Sequence, residues 1–289
     1  MMPMPLTATT SMARRIDRAE AAMVVDMAEA SRTAGAHEVR TWRIGGGAAV
    51  LGEPGSPSNK VIGVGFGSPA SEAEWQDLER VHAERGARVQ VECSSMADPS
   101  VAEMLTARGY RLVGFENVLA RHLDEVERAA DGGGTTMTPV GSAEASLWID
   151  TMIEGFLHPD RSDGPPAHEA FDRDVLARAY EVFGDVPGVE RVLASHGGAT
   201  AGGASMCFRD GIALLCGAAT LPALRRRGVQ SALLRARLAR AREGGCELAV
   251  VTTQPGSKSQ QNVQRSGFEL LYTRAILVWD PRSFLRTAD

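Results

Sequence analysis

The sequence predicts an α/β protein of two tandem domains, each a mixed, mostly antiparallel sheet flanked by helices. Three observations point there. A length of 289 residues suits two domains of roughly 150 residues each. The stretches VQVECSSMADPSVAEMLTARGYRLVGFENVLA from Val89 and LAVVTTQPGSKSQQNVQRSGFELLYTRAILV from Leu248 repeat one pattern. Each reads as strand, turn-rich break, short helix, Gly-aromatic pair and two further strand-like stretches. The elements upstream of the two stretches also follow a common order, which a sheet with helices on both faces, made twice, accommodates.

In the first copy, apolar spacing predicts a helix over residues 16–30, strands near 39–44, 48–51 and 61–66, and a helix over 71–85. Gly109-Tyr110 then answers to Gly267-Phe268 of the second copy. Each Gly stands just past a helix carrying Leu105 or Val263, where a left-handed C-cap is wanted, and the aromatic can pack back on that helix. The second copy has helices near 143–155 and 169–183, strands near 189–194, 203–208 and 212–219, and a long helix over 228–243. Between the copies, Asp131-Gly132-Gly133-Gly134-Thr135-Thr136 follows the charged Glu125, Glu127 and Arg128 and is read as a linker. The expected domains are therefore 1–130 and 135–289.

Bulk properties narrow the function. The 36 acidic residues outnumber the 31 basic ones, for a formal charge of -5, which disfavours a general nucleic-acid surface. Cys93, Cys207, Cys216 and Cys246 lack metal-ligand spacing and sit in or beside apolar runs, as reduced structural thiols do. No apolar run reaches the roughly 18 residues needed to span a bilayer, and the N-terminus lacks a charged region followed by an apolar one. A cytoplasmic protein with a small-molecule or peptide partner is expected, with no membrane and no metal.

The chemistry concentrates in CGAATLPALRRRGVQSALLRARL. Val229, Ala232, Leu233 and Ala236 recur at helical spacing, while Arg235, Arg237 and Arg240 lie off that stripe, which predicts an amphipathic helix packed on a sheet. Arg225-Arg226-Arg227-Gly228 stands where the first turn leaves its backbone N–H groups free, at the positive end of the helix dipole. Such a site takes a phosphate: the glycine allows close approach and the arginines add charge-assisted bonds. The decoys fail on spacing. Gly63, Gly65 and Gly67 do not make G-x-G-x-x-G, and Gly256-Ser257-Lys258-Ser259 is no Walker A sequence.

With strand, T-L-P-A-L-R-R-R-G-V-Q-S-A-L-L and the later S-Q-Q-N-V-Q-R-S-G-F in order, the second copy resembles the GNAT acetyltransferases. Arg225 and Gly228 match the first two positions of the family's R/Q-x-x-G-x-G/A loop, and Gln230 stands where the family has Gly or Ala. Pro222 also fits the family's strand-to-loop usage. The resemblance implies acetyl-CoA, or another acyl-CoA, as co-substrate. Its pyrophosphate would be held by Arg225, Arg226, Arg227, Gly228, Val229, Gln230 and Ser231, its pantetheine by backbone N–H groups at Ala219, Thr220 and Leu221, and its arm would pass Asn262. In the first copy the chain after VIGVGFG continues S-P-A-S-E-A-E-W-Q-D, placing Glu72, Glu74 and Asp77 where phosphate would sit. That copy is expected to bind no CoA.

Acyl transfer to an amine needs a neutral amine, donors to the oxyanion and a proton for the thiolate. The strand end Gly217–Leu221 carries no carboxylate. Glu154, His158 and Asp160, in the segment that by resemblance lines the acceptor pocket, are the candidate bases. The family's acidic Tyr, four residues before the Gly-Phe glycine, is replaced here by Val263, which leaves Tyr272 as substitute acid or a thiolate protonated by solvent. The reading is an N-acetyltransferase acting on a primary amine of a small molecule, with a homodimer compatible with it. Two alternatives stand beside it: a peptide or protein N-acetyltransferase, and a non-catalytic acyl-CoA sensor.

Overall fold

The computed structural model describes residues 6–36, 38–123, 134–159 and 171–283. The N-terminal copy runs α1 (Thr10–Thr33), β1 (Arg40–Ile44), β2 (Gly47–Leu51), β3 (Val61–Ile62), α2 (Glu72–Glu84), β4 (Val89–Ser94), α3 (Pro99–Ala107) and β5 (Arg111–His122). The second runs β6 (Thr135–Pro139), α4 (Ala145–Leu157), α5 (Arg173–Phe183), β7 (Val189–His196), β8 (Ala199–Arg209), β9 (Ile212–Leu214), β10 (Ala218–Thr220), α6 (Val229–Glu243), β11 (Leu248–Thr253), α7 (Lys258–Arg265) and β12 (Glu269–Trp279). The strands of each copy are mixed, mostly antiparallel and flanked by helices, as the periodicities predict.

The repeat survives in atomic detail. Gly109 and Gly267 take φ of 85° and 82°. Behind them the Tyr110 N–H donates to Leu105 O at 3.0 Å and the Phe268 N–H to Val263 O at 3.1 Å. Both aromatics are buried, so the left-handed glycine turns each chain back onto its short helix.

The compact units cross the expected boundary. One gathers Thr7–Val118 together with the described residues from Leu271 onward; the other gathers the described part of Leu119–Pro166 with Asp172–Leu270. The expected division at 1–130 and 135–289 thus fails to describe the packing, because the last strand belongs mainly with the first copy. There β12 pairs antiparallel with β4, from Arg274 opposite Ser94 to Trp279 opposite Val89, in the order β1-β2-β3-β4-β12-β5.

In this first unit β3 runs parallel to β4. The strand predicted over 61–66 stops at Ile62, since Gly63 and Gly65 both take positive φ. Trp75 and Leu78 of α2, Leu105 of α3 and Val89 and Val91 of β4 form the core. Charge is buried here too. Arg274, with 0% exposure, reaches Asp17 at 2.5 Å, Glu20 at 2.7 Å and Glu92 at 3.2 Å, and Lys60 reaches Glu92 at 2.5 Å. Burial, reinforced by the charge of Glu92, pushes the Glu116 carboxyl up to about 8.

The other unit orders its strands β5-β11-β9-β8-β7-β6, with β10 on β8. The predicted linker is corrected here: Thr135 and Thr136 begin β6, which pairs with β7 from Thr135 opposite His196, while Asp131, Gly132 and Gly133 lie outside the described residues. Pro139 closes the strand in the last pair of an edge ladder, where a missing N–H is tolerated. Val229 and Leu233 of α6 pack on Ala194, Ala201 and Ala204, while Leu234 and Leu238 join Met206, Ala213 and Ala249.

Candidate functional site

The predicted strand over 212–219 is broken, and the break makes the site. β9 pairs antiparallel with β8 and parallel with β11, Leu248 to Val250 standing opposite Ile212 to Leu214. After Leu215, whose N–H donates to Val250 O at 2.8 Å, the chain leaves β11 but stays with β8. Gly217 turns at φ 54°, and β10 resumes with Ala218 opposite Ala204 and Thr220 opposite Gly202. β10 and β11 are therefore split apart.

Which backbone groups face the split follows from register. The Ser205 N–H donates to Gly217 O at 3.2 Å and the Leu221 N–H to Ala201 O at 2.9 Å, so residues 217, 219 and 221 bond toward β8. Alternation along an antiparallel ladder turns the polar groups of Ala218 and Thr220 the other way. Of the three residues expected to hold the pantetheine, Thr220 therefore offers its N–H to the split, whereas Ala219 and Leu221 turn theirs into the sheet. Ala218 supplies a donor the sequence reading had not singled out. At the end of β11 the Thr253 hydroxyl is buried without a hydrogen-bond partner among the described residues.

The loop after β10 forms an anion-binding turn. A 3-10 turn at Pro222–Leu224 leads to Arg225 in extended conformation, Arg226 at φ 61° and Gly228 at φ 81°, ψ 0°, the N-cap of α6. No side chain caps α6. Thr9, Ser71, Asp98, Asp172 and Ser257 do cap α1, α2, α3, α5 and α7. The first intrahelical bond is Ala232 N–H to Gly228 O at 2.9 Å, which leaves the N–H groups of Val229, Gln230 and Ser231 free. A Cβ at Gly228 would meet nothing within 4 Å, so the space before this turn is open.

The arginines divide their work. Arg225 ties the loop down, donating from Nε to Thr220 O at 3.3 Å and from Nη2 to His158 O. Arg226 and Arg227 are exposed. The side chain of Val229 is buried in the core, leaving only its N–H to the loop. Gln230 accepts from the Thr220 hydroxyl at 3.4 Å. Asn262 lies on α7, its Oδ1 accepting from Arg265 at 2.5 Å. Because β9 and β11 are parallel, the loops leading to α6 and α7 leave the same end of the sheet, the carboxyl end where open α/β sheets take ligands.

Arg237 corrects the amphipathic reading of α6. It is buried at 4% exposure rather than turned to solvent, and Nη1 donates to Ser205 O at 3.1 Å and Gly217 O at 3.3 Å, while Nε donates to Leu233 O at 3.4 Å. Burial pushes this guanidinium down to about 10.

Glu154 and His158 come together on the last turn of α4, His158 Nδ1 standing 3.1 Å from Glu154 Oε1. Gly155 between them lies against β10, where a Cβ would fall 2.5 Å from that of Ala219. Only a glycine lets the helix approach so closely. Asp160 lies outside the described residues. Tyr272 is withdrawn as an acid: it is buried in the unit of Thr7–Val118, and its hydroxyl donates to Asp17 Oδ1 at 2.6 Å. Burial pushes that phenol well above its ordinary range. Among the described residues no helix is long and apolar enough to cross a membrane, and no cluster has a metal-ligand arrangement.

Comparison with known proteins accords with this geometry. Residues 153–268 match the model of the acetyltransferase (GNAT) family. No curated protein matches the chain. Among solved structures, a GCN5-related N-acetyltransferase from Kribbella flavida superposes with TM-score 0.66 at 21% identity, over 93% of this chain and 95% of its own. A tandem GNAT protein from the clavulanic acid biosynthesis pathway gives 0.60 at 15%, over 96% and 97%. A GCN5-related N-acetyltransferase from Sphaerobacter thermophilus gives 0.54 at 16%, over 95% of both chains. At these identities the structural likeness speaks for the fold alone, a tandem GNAT fold.

Proposed function

From a chain that carries a GNAT-family domain at residues 153–268 and folds as a tandem GNAT protein, we propose an N-acetyltransferase that moves the acetyl group of acetyl-CoA to a primary amine of a small molecule. One observation carries the reading: α6, entered through an αL glycine, has a bare N-terminus beside the end of a split strand. The N–H groups of Val229, Gln230 and Ser231, with Arg226 and Arg227, would hold the pyrophosphate. Arg225 holds the loop in shape. Ala218 and Thr220 offer N–H groups to the pantetheine and the thioester oxygen.

The acceptor would approach from α4. Glu154, through a water, is the proposed base, and His158 orients its carboxylate. With Tyr272 in the other unit, the departing thiolate takes its proton from solvent, and catalysis rests on positioning and on backbone dipoles. We assign the cofactor to the second copy alone, and propose a cytoplasmic location and no nucleic-acid or membrane partner.

Tyr272, the candidate acid, is instead bound to Asp17, which favours a second reading, a sensor that binds acyl-CoA without turnover. A thiol-release assay with acetyl-CoA against amino acids, polyamines, aminoglycosides and peptides separates the readings. Release with a small amine supports the proposal, release with peptides alone moves the acceptor to a protein, and binding without release leaves the sensor. Failure to bind acetyl-CoA at all overturns the site.

A further inference from the structure

The buried Arg237 has no carboxylate to neutralise it among the described residues; its donors go to backbone carbonyls, and two of these lie at the strand break. A lone buried cation is costly, and an isosteric apolar side chain would spare that cost. Shape alone therefore does not explain why α6 sends a guanidinium there.

The peptide it touches is the informative one. Gly217 O accepts from Arg237 Nη1 at 3.3 Å and from the Ser205 N–H at 3.2 Å. In a trans peptide the C=O and the next N–H point in opposite directions, so the N–H on this same unit, that of Ala218, faces the split, as the register requires. The neighbouring Cys216 O is held by the Ser205 hydroxyl, which fixes the plane of the break. Gly217 is exposed and Ala218 half-buried, so a ligand in the split can reach this N–H. Hydrogen bonding to a charged donor at its oxygen makes a peptide a stronger donor at its nitrogen, more so in a dry interior.

We infer that Arg237 is a positioning residue for acyl transfer: it fixes and polarises the Gly217–Ala218 peptide so that the Ala218 N–H receives the negative charge that develops on the thioester oxygen. The inference rests on the acetyl-CoA reading above. In the step concerned, the acceptor nitrogen forms a bond to the carbonyl carbon while the carbonyl π electrons move onto oxygen. The oxygen then returns them, the C–S bond breaks and its electron pair leaves with sulfur. The amine's surplus proton passes to the base or to solvent, and the thiolate takes one up.

The test uses the full chain with Arg237→Met and Arg237→Lys. Three quantities are measured: CoA affinity by calorimetry, kcat with the best amine, and the thioester carbonyl stretch of bound [1-13C]acetyl-CoA by infrared difference spectroscopy. Binding to the unsubstituted chain is expected to lower that stretch. Arg237→Met should lose most of the lowering and reduce kcat by about 10-fold or more, with CoA affinity held within about 3-fold, since the bond to a thioester oxygen is weak in the ground state and strengthens as charge develops on it. Arg237→Lys should fall between, and it carries the same test if the methionine variant does not fold. An unaltered stretch and kcat in a folded variant overturn the inference, as does a kcat loss matched by a loss of CoA affinity. An unsubstituted chain that fails to bind acetyl-CoA overturns the function instead.

Discussion

Gly228 allows the charge of a ligand to be weighed separately from the shape of its site. The residue sits at φ 81°, ψ 0°, with nothing within 4 Å of a Cβ built there. A side chain at this position therefore clashes with nothing and costs about 1 kcal/mol of backbone strain, least for Asn and Asp, which tolerate the left-handed region. Gly228→Asn and Gly228→Asp are nearly isosteric and share that strain, so their difference isolates one negative charge at the head of α6. With that charge ~6 Å from the pyrophosphate and an effective dielectric of ~40, each unit of phosphate charge opposes it by ~1.4 kcal/mol; two units give ~3 kcal/mol, or about 100-fold in Kd. Calorimetry with CoA should show Gly228→Asp binding weaker than Gly228→Asn by about that factor at low salt, and by less at high salt as screening sets in. Equal affinities of the two variants, or a difference insensitive to salt, would refute the pyrophosphate site at this helix.

Four further outcomes follow from the same structure. Equilibrium binding should saturate at one CoA per chain, and two equivalent sites would show that the first copy has kept a loop after all. Arg274→Met leaves the buried Asp17 carboxylate without its cation and Glu92 with Lys60 alone, so urea denaturation should show a loss of about 3–5 kcal/mol; a loss under about 1 kcal/mol would mean the cluster tolerates its own charge. His82 is buried on α2 with Nδ1 2.7 Å from Leu78 O, and burial lowers its pKa below the usual 6.5. The unfolded chain then binds the proton more readily, so stability present above pH 6.5 is lost as pH falls below it, by up to ~1.4 kcal/mol at pH 5.5, and His82→Gln should remove that share. Glu154→Ala should cut kcat/KM by roughly 100-fold and flatten the acidic limb of its pH profile, with His158→Ala weaker and CoA affinity unmoved in both; full rate with an intact limb would move the base elsewhere.

The sequence was legible where local chemistry dictates structure. Gly109-Tyr110 and Gly267-Phe268 announce the repeat because a left-handed residue after a helix is a local requirement. Arg225 to Gly228 announce the loop for a similar reason. What escaped was decided at a distance. Leu215-Cys216-Gly217 reads as one apolar strand, and only the competition between β8 and β11 for its backbone shows where it breaks. Arg237 looked like surface by helical spacing, but the carbonyls it bonds come from Ser205 and Gly217. Tyr272 was drawn to the chemistry by proximity in sequence to Gly267-Phe268, while its partner, Asp17, stands 255 positions earlier. The exchange of β12 into the first unit leaves no trace in periodicity, since a strand alternates in the same way whichever sheet it joins.

The first copy, which we propose binds no CoA, keeps the element order of the second but differs at the corresponding helix start. Its α2 follows β3 as α6 follows β10, yet its N-terminus is closed by its own side chains. Ser71 accepts from the Glu74 N–H at 3.3 Å, and the Glu74 carboxylate returns to the Ser71 N–H at 2.7 Å. Glu72 is bound to Arg108 at 2.5 Å and Asp77 to the Trp42 indole at 3.0 Å. The capping box thus takes up the Glu74 N–H with the Ser71 hydroxyl and sets the Glu74 carboxylate on the Ser71 N–H, so a negative charge already stands at the head of this helix. The space left between α2 and α3 is a cavity of about 80 Å³ lined by Gly65, Trp75, Asp98, Val101 and Met104, against the roughly 300–1,000 Å³ of a ligand pocket. A copy capped and filled in this way would need both its capping box and its core undone before it could bind a cofactor. On the proposal that this copy binds no CoA, substituting Ser71 and Glu74 alone would open the helix start and leave the cavity unchanged, so calorimetry with CoA should still show one site per chain; a second site in that variant would mean the capping box alone had closed it.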